Sequence, residues 1–432
     1  MTSSWTQTAQ LPRFAPLSGD CRTDVLIIGG GMAGILCAKY LQDAGIDYLL
    51  VEADRIGGGI TKNTTAKITA QHGLIYHSLT KKFGAEKAGA YLKANQNALE
   101  EYRRLCRDID CDFLPQDAFV YSVNNRKKLE DELSALKMLL FPAEFVESPP
   151  LLFQTAGAIH FPNQAQFHPL KFLSGIAAGL KILENTKVQE LGPHTARTNH
   201  GTITAEKIIV ATHFPFLNKH GSYFLKQYQH RSYVLALEKA PIPGGMYVDE
   251  SKTGLSFRAQ GDLLILGGGS HRTGKKGGNW TELEQFAAQH YPNAQIQARW
   301  ATQDCMTLDG VPYIGQYSAR TPDLYVATGF NKWGMTSSMV AAQVLTDLIR
   351  GIESPYAELF SPSRSISTPQ LAINGFEAVT NLLSFSRKRC PHLGCALKWN
   401  SHEHSWDCPC HGSRFEENGK LIDNPATDDL NS

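Results

Sequence analysis

No stretch of this 432-residue chain is uniformly apolar, and a membrane span needs about 18 such residues. A transmembrane segment is therefore not expected. Met1 to Asp20 have neither an apolar signal core nor a twin-arginine pair. Charge of one sign is also missing. The net charge is +1, from 42 basic and 41 acidic residues, and no basic tract marks a nucleic acid or an anionic membrane surface as a partner. A disulfide framework is absent too. Of nine cysteines, Cys21, Cys37, Cys106, Cys111 and Cys305 are scattered, which suits reduced thiols and a cytoplasmic location. What the chain has is length and core material: 42% hydrophobic residues, enough for about two to three domains.

The first pattern with chemistry in it lies near the N-terminus. Asp24 to Ile28 reads as a short buried strand, followed at once by Gly29-Gly30-Gly31-Met32-Ala33-Gly34 and a helical run to Ala44. A second apolar strand, Tyr48 to Val51, ends at Glu52 and Ala53. Strand, glycine turn, helix, strand and acid in this register form a dinucleotide site. Gly29 allows the tight turn, Gly31 lets the backbone approach a pyrophosphate, and Gly34 lets helix and strand pack closely. The helix N-terminus offers free N–H groups to phosphate, and Glu52 can bond ribose hydroxyls. The only other glycine cluster after a strand, Gly267-Gly268-Gly269, has Arg272 where a third glycine belongs and no helical pattern behind it. One dinucleotide site is expected, not the two of a disulfide reductase.

Further segments widen the pattern. They are Gly57-Gly58-Gly59-Ile60-Thr61, Thr64 to His72 with Lys67 inside it, Lys187-Val188, Ile208 to Thr212 with Ala211, Asp309 to Gly315, and Val326 to Thr336. With the glycine turn, this set resembles the glycine/D-amino-acid oxidase-like flavoproteins, especially the branch fused to a C-terminal Rieske domain. The resemblance implies FAD as cofactor. It implies contacts from Gly29, Gly31, Met32, Ala33, Gly34, Glu52, Ala53, Gly59, Thr61, Lys67, Val188, Ala211, Gly329, Gly334, Met335 and Thr336. Gly329 and Gly334 bracket a turn before an apolar-periodic helix, Met335 to Ile349, whose positive end would face the charge of reduced flavin. An ordinary capped helix is the other reading.

Residues 73–150 read as helical and charged, and residues 228–300 as strands. The family would fold them as a sheet with helices roofing the flavin. Candidate catalytic residues are few. Arg258 could clamp a carboxylate bidentately, or be a surface arginine. His72 and His271 could stabilise reduced flavin or accept a proton, or be structural. Trp333 could pack on the flavin rim, and Cys305 could anchor it covalently, although no matched motif supports an anchor. A hydrolase-type nucleophile pattern is lacking, which says nothing against flavin chemistry, where the protein mainly positions substrate and excludes water.

Ile352 to Gln370 is rich in Ser and Pro and reads as a linker. Beyond it stand two boxes, Cys390-Pro391-His392-Leu393-Gly394-Cys395 and Cys408-Pro409-Cys410-His411-Gly412-Ser413-Arg414-Phe415. A Rieske [2Fe–2S] cluster takes two Cys on one iron and two His on the other. Zinc fingers put CxxC on one arm and HxxxH on the other, whereas here each arm carries one Cys and one His. The boxes resemble those of Rieske proteins. Carried over by position, Cys390 and Cys408 ligate one iron, His392 and His411 the other, and Cys395 and Cys410 form a disulfide. High-potential relatives have a Ser and a Tyr after the second box; here Ser413 is present and Phe415 takes the Tyr position. A middling potential is expected within the Rieske window of roughly −150 to +300 mV. The stretch Ala378 to Phe385 reads as helix-like where relatives have strands, so an abbreviated domain is expected. With so short a tail after His411, the separate iron site of a Rieske oxygenase is not expected.

The expected fold class is α/β: a Rossmann-type FAD-binding domain with an α+β substrate domain, plus a small all-β Rieske domain. Residues 1–352 would form the oxidoreductase, with FAD-binding parts at about 20–80, 151–227 and 301–352 and substrate parts at about 81–150 and 228–300. A linker at 353–376 and a Rieske domain at 377–432 would follow. The expected function is oxidation of an amine or amino-acid-like substrate, with electrons passed from FAD to the cluster and on to an external acceptor, as a dehydrogenase rather than an oxidase. Two alternatives are a reductase fed through the cluster by a ferredoxin-like donor, and a non-enzymatic redox module.

Overall fold

A computed structural model describes residues 2–217, 220–251, 253–365 and 388–430, with single positions at 373, 375, 380, 381 and 386. The stretch read as helix-like, Ala378 to Phe385, lies almost wholly outside the described residues.

The first sheet grows from the sequence's most apolar short runs. Cys21–Ile28 ends in Val25-Leu26-Ile27-Ile28, all buried, as a parallel strand covered on both faces must be. It pairs in parallel with Tyr48–Val51 on one side and Thr202–Val210 on the other. Leu324–Thr328 continues the parallel run beyond Thr202–Val210. The helices Met32–Asp43 and Gly334–Arg350 pack against each other beneath this sheet. Gly351 at φ 71° ends the second of these, a left-handed cap that glycine adopts without strain.

The second sheet has eight strands, in the order Gln295–Thr307, Gln227–Glu238, Leu263–Arg272, Ser256–Gln260, Met246–Asp249, Ala118–Ser122, Gly157–Phe161 and Glu144–Val146. Two features depart from the sequence reading. Residues 73–150 hold the long helix Ile75–Leu105, kinked at Gly84, and the helix Arg126–Met138, but Ala118–Ser122 and Glu144–Val146 are strands. Ala118–Ser122 is fixed as a strand by Met246–Asp249, its parallel partner from far along the chain. Within 228–300, Asn279–His290 is a helix that presses Trp280, Leu283 and Ala287 onto the sheet.

The expected linker is anchored through its first part. Ala357–Phe360 is a helical turn with Phe360 buried, and Arg364 forms a two-pronged ion pair with buried Asp309 at 2.8 Å. The C-terminal unit is a four-stranded antiparallel sheet, Lys398–Asn400, Ser405–Asp407, Arg414–Glu416 and Leu421–Asp423. Among the described residues no helix is long and apolar enough to cross a membrane.

Candidate functional site

The strand Cys21–Ile28 delivers its last residue to the glycine turn at the sheet's carboxyl edge, where parallel sheets bind ligands. Here the chain has no room for side chains. A Cβ on Gly34 would lie 1.9 Å from the Gly29 carbonyl oxygen, and one on Gly29, at φ 112°, would lie 2.6 Å from that of Ala211. Glu52 accepts from the backbone N–H of Gly30 at 2.6 Å and of Asp54 at 3.0 Å. Burial raises its carboxyl above the ordinary range, against these donors.

A cavity of about 840 Å³ starts at this turn and runs between the two large sheets, within the roughly 300–1,000 Å³ of cofactor pockets. Gly29, Gly31, Met32, Ala33, Glu52, Ala53, Gly59, Thr61, Lys67, Val188, Ala211, Gly334 and Met335 line it. Gly34, Gly329 and Thr336 stand behind the lining. Thr61 accepts from the Met32 N–H at 3.1 Å and so ties the second glycine loop to the first helix. The bare glycine cradle, the helix start at the cavity wall and the acid beside them fit FAD laid along the cavity.

At the far end, the start of the helix Gly334–Arg350 meets the loop containing His72. His72 is buried. Its Nδ1 lies 2.7 Å from the Tyr91 hydroxyl and its Nε2 3.0 Å from Thr336 Oγ1. Its ring stacks on Trp333, with centroids 4.9 Å apart. Burial pushes its pKa down to about 3, so the imidazole is neutral and both nitrogens are engaged. Lys67, also buried at the cavity wall, is pushed down to about 7 by burial and by Arg258.

The other two catalytic candidates do not reach the cavity. Arg258 is buried at 3% exposure, neither a surface arginine nor a free clamp. It donates to the carbonyls of Thr65 at 2.7 Å, Ala66 at 2.9 Å and Ala259 at 2.8 Å. His271 lies behind the wall, with Nε2 3.0 Å from the Tyr233 hydroxyl and Nδ1 2.9 Å from the Arg272 carbonyl oxygen. Cys305 does line the cavity, but burial pushes its thiol up to about 12, far from thiolate character.

Two cavity residues escaped the sequence reading. Asp304, on the strand Gln295–Thr307, is pushed up to about 6 by burial, with Lys332 and Arg231 pulling the other way. Lys332 lies in the turn after Gly329 and holds Ser270 Oγ at 3.3 Å. Asn331 and Lys332 both have positive φ, 52° and 74°, a backbone strain common at functional sites. No motif flags a single acid on a strand; the Gly329–Gly334 bracket was the one available signal for Lys332.

In the C-terminal unit the two boxes face each other. The Nδ1 atoms of His392 and His411 lie 3.3 Å apart. Cys390 and Cys408 are buried side by side, and Cys390 is pushed down to about 7 by Cys408, with the Ser413 hydroxyl and the amides of His392 and Leu393 helping. Burial lowers His392 to about 4 and His411 to about 3, which favours the neutral imidazole a metal requires. Cys395 and Cys410 form a disulfide and so offer no thiolate, although their sulfurs lie within 4.8 Å of that of Cys408. Two thiols and two imidazoles converging on one space fit a [2Fe–2S] pair. Phe415 is fully buried without a hydroxyl.

This unit is docked on the second sheet by its cluster end. His411, 2% exposed, meets the Phe224 ring edge-on at 5.9 Å. Arg272 donates to the carbonyls of Pro409 and Cys410, and Gln303 to that of Gly412 at 2.9 Å. A buried network joins the units: Arg231 and Arg414 share Glu403, and Arg414 also holds Asp407 at 3.0 Å and Asp423 at 3.1 Å. Burial raises the Glu403 carboxyl, but the two guanidiniums outweigh it and hold the group at about 2.

Comparison with known proteins agrees with both halves. The family model described as FAD dependent oxidoreductase, or DAO, matches residues 24–348, and the Rieske [2Fe-2S] domain model matches residues 380–432. The Rieske 2Fe-2S iron-sulfur protein YhfW of Bacillus subtilis is 35% identical, over 98% of this chain and 95% of its own length. Gamma-glutamylputrescine oxidoreductase of Escherichia coli is 24% identical, over 81% of this chain and 89% of its own length. The crystal structure of glycine oxidase from Geobacillus kaustophilus superposes with a TM-score of 0.67 at 21% identity, covering 80% of this chain and 100% of that one. The chain belongs to the DAO family of FAD-dependent oxidoreductases, with a Rieske [2Fe–2S] domain at its C-terminal end.

Proposed function

We propose that this oxidoreductase oxidises an amine or amino-acid-like substrate at its flavin, and that the electrons leave through the Rieske cluster to an external acceptor. When bound, FAD supplies a two-electron acceptor and the iron pair a one-electron relay. The observation that carries the substrate class is the pair Asp304 and Lys332, which both line the cavity and feel each other's charge. Above about pH 6 Asp304 is a carboxylate and complements a substrate ammonium, while Lys332 complements a carboxylate. His72, neutral and held at both nitrogens, shapes the wall without adding charge, and Trp333 covers it with an apolar face. The named activities of the relatives, on gamma-glutamylputrescine and on glycine, are of the same chemical class. The docked cluster end supports dehydrogenase rather than oxidase behaviour, because it offers the electrons a route other than O₂.

The test is anaerobic mixing of the holoprotein with a panel of primary amines, polyamines and amino acids, read by flavin bleaching. At least one member should bleach it, with little peroxide formed in air. For that compound, kcat/KM should rise with pH through about 6 as Asp304 ionises. Asp304→Asn should flatten this rise and increase KM by about tenfold, the loss of one charge-assisted hydrogen bond. A panel without effect, or peroxide matching turnover, would overturn the proposal. So would an unaltered pH profile in Asp304→Asn.

A further inference from the structure

The wall of the flavin cavity is not built by the oxidoreductase half alone. Leu421, Ile422, Asp423, Asn424, Ala426 and Thr427, all from the iron–sulfur unit, line it as well. The segment is fixed on both sides. Toward the oxidoreductase half, the Asn424 side-chain amide donates to the carbonyls of Thr212 at 2.6 Å and Phe214 at 2.8 Å. Gln229 donates to the Asn424 carbonyl at 2.9 Å, and the Lys187 ammonium holds that of Thr427. Toward the cluster, the Ala426 N–H donates to Ser413 Oγ at 3.0 Å, and the Ser413 hydroxyl faces the Cys390 sulfur.

These anchors locate the segment along the cavity. Thr212 follows Ala211, whose carbonyl abuts Gly29 and whose N–H donates to the Ile28 carbonyl. Lys187 follows Thr186, whose N–H donates to the Glu52 carbonyl. Both anchors sit within two residues of groups that touch the glycine turn or the ribose-side acid. The segment therefore crosses the dinucleotide half of the cavity, away from the ring end at Trp333 and His72.

We infer that the Leu421–Thr427 segment of the iron–sulfur unit is part of the FAD-binding site and clamps the dinucleotide half of the cofactor. Pinned by its protein partners on both sides, the segment is a pre-organised wall against which the ribose and pyrophosphate are packed. The same segment is tied through Ser413 to a cluster ligand. Cluster and flavin sites are therefore assembled together, and a chain that loses its iron pair holds its flavin less tightly.

The test measures binding alone, so it is independent of any substrate. The full chain is stripped of flavin by bromide dialysis with its iron retained, and FAD is titrated back by fluorescence. Asn424→Ala should bind FAD about tenfold or more weakly, because the segment loses the two hydrogen bonds that pin it to Thr212 and Phe214, with its rhombic EPR signal intact. In the unaltered chain, FAD should slow amide hydrogen exchange across Leu421–Thr427, a readout that stands even where the variant folds poorly. An Asn424→Ala affinity within twofold of the parent, together with exchange in this segment indifferent to FAD, would overturn the inference.

Discussion

Arg258 shows how far a residue's role depends on what surrounds it. Its strand position suggested a substrate clamp, yet the guanidinium ends on three backbone carbonyls and lies over the Trp5 ring at 5.3 Å. It braces the Thr64–His72 loop against the second sheet, and Trp5 joins the brace by donating to the Thr64 carbonyl at 2.7 Å. Arg258→Met should lower unfolding stability by about 2–4 kcal/mol, because buried carbonyls lose a charged donor. Its KM for whichever compound bleaches the flavin should be unaltered where the protein is folded. Urea unfolding beside steady-state kinetics separates the two; a large KM change at unaltered stability would return Arg258 to the substrate. Asp304 is the converse case. It has no motif, and only the cavity around it gives it meaning.

The elements divide by how local their causes are. Tyr48–Val51 was legible as it stands, and the helix Met32–Asp43 to one residue at its end, because apolar runs, a glycine turn and a closing acid lie together in sequence; its start was missed, since it begins inside the glycine turn and not after Gly34. The helix Gly334–Arg350 was legible from its bracket and period. Ala118–Ser122 was not, since its partner Met246–Asp249 lies far away and five residues carry little pattern of their own. Asn279–His290 was missed because its apolar residues are few and set by the sheet beneath. The glycine turn gives this level its prediction. Gly34→Ala places a Cβ against the Gly29 carbonyl, where only backbone could yield, and should weaken FAD retention by about tenfold or more. Flavin absorbance after gel filtration measures it, with the EPR signal as the folding control. A fully yellow variant would show that helix and strand can separate here without harm.

The whole molecule is held together by pairings that no local reading reveals. Arg231 and Glu403 are 172 residues apart and meet in a buried network at the join between the two halves. Glu403 is held at about 2, below its ordinary 4.5. A depressed carboxyl stabilises docking fully above about 4.5 and loses that contribution as pH falls toward about 2. Calorimetry should show one shared unfolding transition at neutral pH, splitting in acid. Glu403→Gln should split it already at neutral pH, since breaking a buried pair costs about 3–5 kcal/mol. An unsplit transition in that variant would mean the network adds nothing to the join.

The claim beneath all of this is that one chain carries a flavin and an iron–sulfur pair in electronic contact, with the pair the better acceptor. Anaerobic dithionite titration of the purified holoprotein, followed by absorbance and EPR together, tests it most directly. The rhombic signal should grow in first, at a midpoint in the middle of the roughly −150 to +300 mV Rieske window, and the flavin should bleach after it. A flavin that bleaches completely while the iron pair stays oxidised and silent would contradict the account.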